Sequence, residues 1–149
     1  MPARFDRLGI AFQYPENWTL DDSDAILGRH SVTVFSPGGA FWSVAVHAAS
    51  ANLRELIATA IEAMKQEYDS LEAEDVRETI AGHELLGTNL AFYCLDLTNT
   101  AQIRSLQTAH STYTIFCQGE DREFERVKDI FKAMTTSLLS ELDRQVKDL

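Results

Sequence analysis

Alternating apolar and polar positions open the chain. Residues 8–14 alternate apolar with small or polar side chains and stop at Pro15, which predicts a first strand ending at a fixed corner. Trp18 follows this corner and is expected to act as a large apolar anchor.

A hairpin is predicted next. Residues 31–36 are rich in β-branched side chains, and residues 41–48 are apolar at most positions. Pro37, Gly38 and Gly39 between them are turn residues, since proline fixes φ and glycine accepts positive φ. Because residues 41–48 are largely apolar on both faces, they predict a central strand covered on both sides.

Helical spacing appears twice. Asn52 is a good N-cap with Glu55 three residues later, and the helix it begins is expected to end near Tyr68. A second helix is predicted to begin near Asp121. Each has an apolar stripe at three-and-four spacing. The stripes are Leu53, Leu56, Ile57, Ala60, Ile61 and Met64 in the first helix, and Phe124, Val127, Ile130, Phe131, Met134 and Leu138 in the second.

Further strands are predicted between the helices. Residues 74–80 suggest a polar edge strand, a turn and strand follow near residues 81–87, and residues 90–97 are apolar on both faces. Asn99 and Thr100 are expected to form a turn before strands at 103–109 and 112–118.

Two amphipathic helices and central strands that are apolar on both faces predict an α-β-α sandwich. We expect an α+β fold with a mostly antiparallel sheet of about six to seven strands and one long helix on each face. The 149 residues are expected to form a single domain with its core at about residues 5–140 and a frayed tail at 143–149.

Charge and composition restrict the function. The net charge is −10 and the pI is about 4.7, so the chain repels phosphate backbones and nucleic acid is not an expected partner. No apolar run is long enough for a membrane span, and no export signal is recognised, so a cytoplasmic location is expected. Cys94 and Cys117 lie in apolar runs and are expected to be buried reduced thiols.

No recognised motif indicates catalysis, a metal or a cofactor. The segment from His83 to Gly87 begins like a zinc-protease signature, but Gly87 stands where the second histidine is needed. We therefore predict no catalytic residue, no metal ligand and no cofactor, and expect a protein that is not an enzyme.

Aromatic residues are the remaining candidates for function. One interpretation places all of them in the core. The other leaves one sheet face or groove incompletely covered, so that aromatic side chains contact a partner. The candidate partner-binding residues are Phe41, Trp42, Tyr93 and Tyr113.

The segment Phe12-Gln-Tyr-Pro-Glu-Asn-Trp18 resembles the strand end of PsbP-like domains. This family groups PsbP, Mog and DcrB-like domains with cytosolic bacterial effector chaperones. The resemblance continues through the order of elements to the closing strand at 112–118 and the helix at 124–138, and it covers about residues 5–140. It implies a non-enzymatic adaptor that binds a protein, and it carries over no catalytic or binding residue.

The leading hypothesis is a non-enzymatic, cytosolic protein-interaction module with an adaptor or chaperone-like role. The alternative is a small-ligand-binding protein or enzyme with a pocket at the sheet rim, for which His47, Tyr93 and Cys94 are the residues to inspect. Homodimerisation through an edge strand or a helix face is left open by the sequence.

Overall fold

The computed structural model describes residues 2–147, with side chains as far as residue 145. Nine strands and three helices follow one another along this part of the chain. They are β1 (Pro2–Arg7), β2 (Ile10–Pro15), β3 (Thr19–Asp21), α1 (Ser23–Ile26), β4 (Ser31–Phe35), β5 (Phe41–Ala48), α2 (Leu53–Glu67), β6 (Glu72–Ile80), β7 (His83–Cys94), β8 (Leu97–Gln107), β9 (Ser111–Glu120) and α3 (Asp121–Lys147).

The main sheet has seven strands in the order β3-β4-β5-β9-β8-β7-β6. All neighbouring strands are antiparallel, which confirms the predicted sheet. Strand β5 lies inside the sheet, between β4 and β9, and β6 is an edge strand, both as predicted. The predicted cover on both sides of β5 is wrong, because the side chains on one of its faces are all partly exposed. A separate two-stranded sheet is formed by β1 and β2.

Helices lie on both faces of the main sheet, so the predicted α-β-α sandwich is confirmed. Helix α3 and strand β2 pack together on one face, where they enclose the larger core with β5 and β9. Helix α2 packs on β7 and β8 on the opposite face and encloses a smaller core. The two faces are called here the α3 face and the α2 face.

Helix α2 begins and ends where its sequence predicts. The Glu55 backbone N–H donates to the Asn52 side-chain oxygen at 3.2 Å, which satisfies one of the free N–H groups of the first turn. Ile57 and Met64 are its fully buried residues, and the other members of its stripe are partly buried.

The corner after β2 is also as predicted. The Trp18 N–H donates to the Pro15 carbonyl at 3.0 Å and closes the turn. The Trp18 indole is 7% exposed and contacts Phe131 of α3 edge-on, with ring centroids 5.7 Å apart. Trp18 therefore anchors the corner to α3.

Two local predictions were wrong. The turn predicted at Asn99 and Thr100 lies at Leu95 and Asp96, so β7 runs unbroken to Cys94. Strand β1 precedes the predicted first strand and pairs with it. Helix α3 extends to Lys147, and the fraying of residues 143–149, of which 148–149 lie outside the described residues, stays a prediction.

Candidate functional site: an open sheet face with an aromatic row

Two of the four candidate aromatic residues lie in the core, which corrects the prediction that they contact a partner. Trp42 has no exposed surface, and its indole N–H donates to the Thr135 hydroxyl at 3.0 Å. Tyr113 is 5% exposed on the same α3 face. Strand alternation places both side chains under α3, where they fill the larger core.

Phe41 points to the other side of β5. Its ring lies 5.9 Å from Phe35 on β4 and 5.8 Å from Phe116 on β9, and it is nearly parallel to the latter at 20°. These three side chains form a row across three neighbouring strands, which we call the aromatic row. Phe35 is 37% exposed, and Phe41 and Phe116 are partly buried.

The part of the sheet around Phe35 and Phe41 is not covered by a helix, whereas Phe116 packs against the smaller core under α2. The β4 and β5 side chains on the α3 face are at most 1% exposed at Val32, Val34, Trp42 and Val44. On the α2 face every side chain of the same strands is partly exposed. These residues are Ser31, Thr33, Phe35, Phe41, Ser43, Ala45 and His47. We call this surface, with Phe116, the open face.

The open face is chemically distinct from the rest of the molecule. None of its residues is Lys, Arg, Asp or Glu, although the chain has a net charge of −10. Its polar groups are mainly hydroxyls, two of which pair across strands, with Thr33 donating to Ser43 at 3.2 Å. Aromatic rings among small hydroxyl side chains are suited to contact a protein surface rather than to perform chemistry.

Three further hydroxyls continue this face toward α2. The side-chain oxygens of Ser105, Thr112 and Thr114 are buried without a hydrogen-bond partner among the described residues. The strand register places Ser105 opposite Thr114, and Thr114 opposite Ala45 of the open face. The border between the open face and α2 therefore has unused hydrogen-bonding capacity.

Tyr93 lies elsewhere. It is 55% exposed near the end of β7, beside the β7–β8 turn, where Leu95 and Leu97 are also exposed. Its register partner, Thr98, is on the α3 face, so Tyr93 and Phe41 are on opposite faces of the sheet. The structure does not bring them together, and partner binding at either residue stays a prediction.

The three residues suggested for a rim pocket do not form one site. In the sheet, His47 lies opposite Thr112 of β9, and Thr112 lies opposite Gln107 of β8, whereas Cys94 lies opposite Leu97 of β8. Gln107 and Leu97 are ten residues apart along β8, which corresponds to roughly 33 Å at the usual rise of a strand. Tyr93 adjoins Cys94 but points to the opposite face.

The polar cluster around Arg104 is held together by hydrogen bonds among its own members. Arg104 is buried, and its guanidinium donates to Glu78 and Asn89, each at 2.8 Å, and to the Ile103 carbonyl at 2.9 Å. Burial raises the pKa of the Cys117 thiol, which keeps it protonated and unreactive at neutral pH.

The segment from His83 to Gly87, which begins like a zinc-protease signature, forms the start of strand β7. His83 Nε2 lies 2.8 Å from the Asp143 carboxylate on α3, which joins β7 to the helix. Among residues 2–147, no three His, Cys, Asp or Glu side chains are grouped to hold a metal.

Within the same range, no helix combines the length and apolar character needed to cross a bilayer.

Comparison with solved structures identifies the fold. A Pseudomonas aeruginosa protein of unknown function, PA94, matches with a TM-score of 0.57 and 10% identity over 92% of this chain and 95% of that one. The cyanobacterial PsbP of Synechocystis sp. PCC 6803 matches with a TM-score of 0.59 and 15% identity over 91% and 90%. The Saccharomyces cerevisiae Ran-binding protein Mog1p matches with a TM-score of 0.53 and 12% identity over 97% and 93%.

These likenesses show that the chain has the fold shared by PsbP and Mog1p, as the sequence resemblance implied. The sequence itself matches no family model and no curated protein. At this level of identity the likeness extends to the fold alone.

Two members of the aromatic row are not among the residues predicted from the sequence. Phe116 lies in the strand predicted at 112–118, and Phe35 lies near the end of the strand predicted at 31–36. The alternation within β4 and β9 does place both residues on one face. What the sequence lacks is the position of α2, which leaves that face open over β4 and β5.

Proposed function

We propose that this chain is a protein-interaction module of the cytoplasm that contacts its partner through the open face. The observation that supports this function is the aromatic row on an uncharged, uncovered sheet surface. Aromatic side chains, including phenylalanine, are enriched at protein interfaces.

Two other observations support the proposal. Cys94 and Cys117 are both free, as expected in a reducing compartment. Mog1p, which has this fold, is a Ran-binding protein, so the fold is compatible with protein recognition. The partner of this chain is not inferred from that likeness, because sites are set by side chains rather than by folds.

The test is affinity capture from the source organism, followed by binding measurements with the purified partner. The bait is the wild-type protein beside a Phe35→Ser/Phe41→Ser double variant. Both positions are partly exposed on the open face, so the fold is retained and circular dichroism checks this. We expect one protein recovered near stoichiometry by the wild type, with at least tenfold weaker binding to the double variant.

Tyr93→Ser is the matched control, because Tyr93 is an exposed aromatic residue on the opposite face. It is expected to bind the partner like the wild type. The interface would lie elsewhere if the double variant bound the partner as tightly as the wild type does. The same would follow if Tyr93→Ser weakened binding more than the double variant does. Recovery of no reproducible partner would count against an interaction module.

A further inference from the structure

Strand β6 leaves one side of its backbone unpaired. It forms an end of the seven-stranded sheet and pairs with β7 on its inner side. Ile80 and His83 close a two-residue hairpin, so they exchange backbone hydrogen bonds, and every second residue of β6 before them does the same. The residues between these point their N–H and C=O groups away from the sheet, where no described residue bonds them. These outward residues are Ala73, Asp75, Arg77 and Thr79.

A cleft adjoins this free edge on the α2 face. Helix α2 packs on β7 and β8, and a space of about 350 Å³ lies between the helix and β6. We call it the edge cleft. Its apolar lining comes from Ile57 and Ile61 of α2 and from Leu86 of β7. Its charged lining residues are Arg54, Asp75 and Arg77, which have both signs, so the edge cleft favours an apolar side chain rather than a charge of one sign.

The opposite face of β6 is acidic. Ile80 lies in the larger core, so strand alternation places Glu72, Glu74 and Glu78 on the α3 face. Glu78 is paired with Arg104 at 2.8 Å. Glu72 and Glu74 are exposed and form no ion pair or hydrogen bond with a described residue. A strand added beside β6 is therefore stabilised by lysine or arginine residues on this face.

A second copy of β6 does not suit this edge. The strand has four carboxylates and one basic residue, Arg77. An antiparallel copy can set Asp75 opposite Arg77, but Glu74 is then opposite Glu78. Like charges opposite each other destabilise a strand pair, and the −10 charge of each chain adds to the repulsion.

From these features we infer that the edge of β6 is a second binding site, which accepts an extended segment of another protein as an eighth strand of the main sheet. Backbone hydrogen bonds to the outward residues of β6 provide the pairing. The side chains of the segment alternate, so that apolar ones contact the edge cleft and lysine or arginine residues lie near Glu72 and Glu74. This site is independent of the open face and does not require the function proposed for it.

Nine-residue peptides, which match the length of β6, test the inference on the full-length protein. The probe has capped ends and alternates lysine with valine, with phenylalanine in place of one central valine. One control peptide has the same residues with the lysines grouped at one end, and another has glutamates in place of the lysines. Binding is followed by amide chemical shifts in two-dimensional NMR.

We expect saturable shifts at residues 72–80 with the alternating peptide and about tenfold weaker binding, or less, of each control peptide. Glu74→Lys is expected to weaken the alternating peptide about fivefold or more. Asp24→Lys is the matched control, because it changes the net charge equally in α1, which packs on β4 near the other end of the sheet. It is expected to have a much smaller effect.

Methylation of the peptide nitrogens distinguishes strand pairing from side-chain contact. The N–H groups of alternate residues point to opposite edges of a strand. Methylating either the lysine nitrogens or the valine and phenylalanine nitrogens therefore blocks one edge of the peptide at a time. We expect one methylated peptide to bind at least about tenfold more weakly than the other. Equal affinity of the two methylated peptides would contradict strand addition.

A proline in β6 tests the same backbone contact from the side of the protein. Asp75→Pro removes an outward N–H and no hydrogen bond to β7, and proline is tolerated in an edge strand at such a position. It is expected to weaken the alternating peptide about fivefold or more. Asp75→Ala keeps the N–H and should bind like the wild type. Circular dichroism and urea unfolding check that both variants fold.

Several outcomes would overturn the inference. Shifts centred outside β6, or equal binding of the peptide with grouped lysines, would exclude an added strand. Equal effects of Glu74→Lys and Asp24→Lys would reduce charge recognition to net charge. A dimer that Asp75→Pro converts to a monomer would assign the edge to a second copy of the chain. The Phe35→Ser/Phe41→Ser variant should bind the peptide normally, so failure of one site is distinguishable from failure of the other.

Discussion

Phe41 and Trp42 are neighbours in the sequence but have opposite environments. Trp42 points under α3 with no exposed surface, and Phe41 points to the open face. The indole ring lies 4.7 Å from Phe12, and its N–H is held by Thr135. A change at Trp42 therefore affects stability, whereas a change at Phe41 or Phe35 affects the surface.

Trp42→Ala is expected to destabilise the protein by about 3–5 kcal/mol, since it removes a fully buried aromatic ring and leaves a cavity. Urea unfolding followed by circular dichroism measures this change. Tyr93→Ala, at an exposed aromatic residue, is the control and should change stability by no more than about 0.5 kcal/mol. A loss below about 1 kcal/mol for Trp42→Ala would contradict the packing described for the larger core.

At the residue scale, the sequence predicts which side chains share a face but not which face is covered. Alternation along β5 separates Phe41 from Trp42 correctly. Both faces of that strand are apolar, however, so the pattern alone predicts cover on both sides. The position of α2 over β7 and β8 depends on long-range packing, which no local pattern contains.

The β7–β8 connection is unusual at the scale of the element. Leu95 and Asp96 have φ of 51° and 63°, the left-handed conformation that a type I′ two-residue hairpin turn requires at both positions. Aspartate adopts this conformation fairly readily but leucine does not, so the backbone is strained at Leu95. Leu95 is also 91% exposed, so its side chain contributes little packing in return.

Replacing this turn by Leu95→Asn/Asp96→Gly is expected to stabilise the protein by about 1 kcal/mol, because Asn-Gly adopts the left-handed conformation at lower cost. Thermal and urea unfolding measure the change.

Thr100→Gly is the contrasting variant for this turn. Thr100 lies within β8, where glycine is expected to destabilise the strand. A stabilisation by Thr100→Gly would instead support the turn that the sequence predicts at Asn99 and Thr100.

The elements predicted best from the sequence are those whose ends carry capping or turn residues. Asn52 caps α2 in the predicted way, and the residues Pro37 to Gly39 separate β4 from β5. The predicted β7–β8 turn is misplaced because Leu95 continues the apolar run of residues 90–97, while Asn99 is a residue typical of turns. Strand β1 was missed because its alternation is weak, and its pairing with β2 fixes it.

At the scale of the whole molecule, the two helical layers are unequal. Helix α3 contributes Phe124, Val127, Phe131, Met134, Leu138, Leu139 and Leu142 to the larger core. Helix α2 has Ile57 and Met64 fully buried, and it borders the buried hydroxyls that lack partners. Local opening costs less free energy where fewer apolar contacts are lost, so α2 is expected to open before α3.

Amide hydrogen exchange is expected to show this difference directly. Amides of α2 should exchange faster than those of α3, β5 and β9 in the wild type, because α2 opens without disrupting the larger core.

Two buried-residue variants distinguish separate opening of α2 from uniform unfolding. Ile57→Ala should speed exchange mainly in α2, whereas Leu138→Ala should speed it throughout the protein, since Leu138 is fully buried in the larger core. If the amides of both helices were equally protected from exchange, and if each variant sped exchange throughout the protein, the chain would unfold as a single cooperative unit. Selective opening of α2 would mean that the open face can widen at its border without unfolding the sheet that presents the aromatic row.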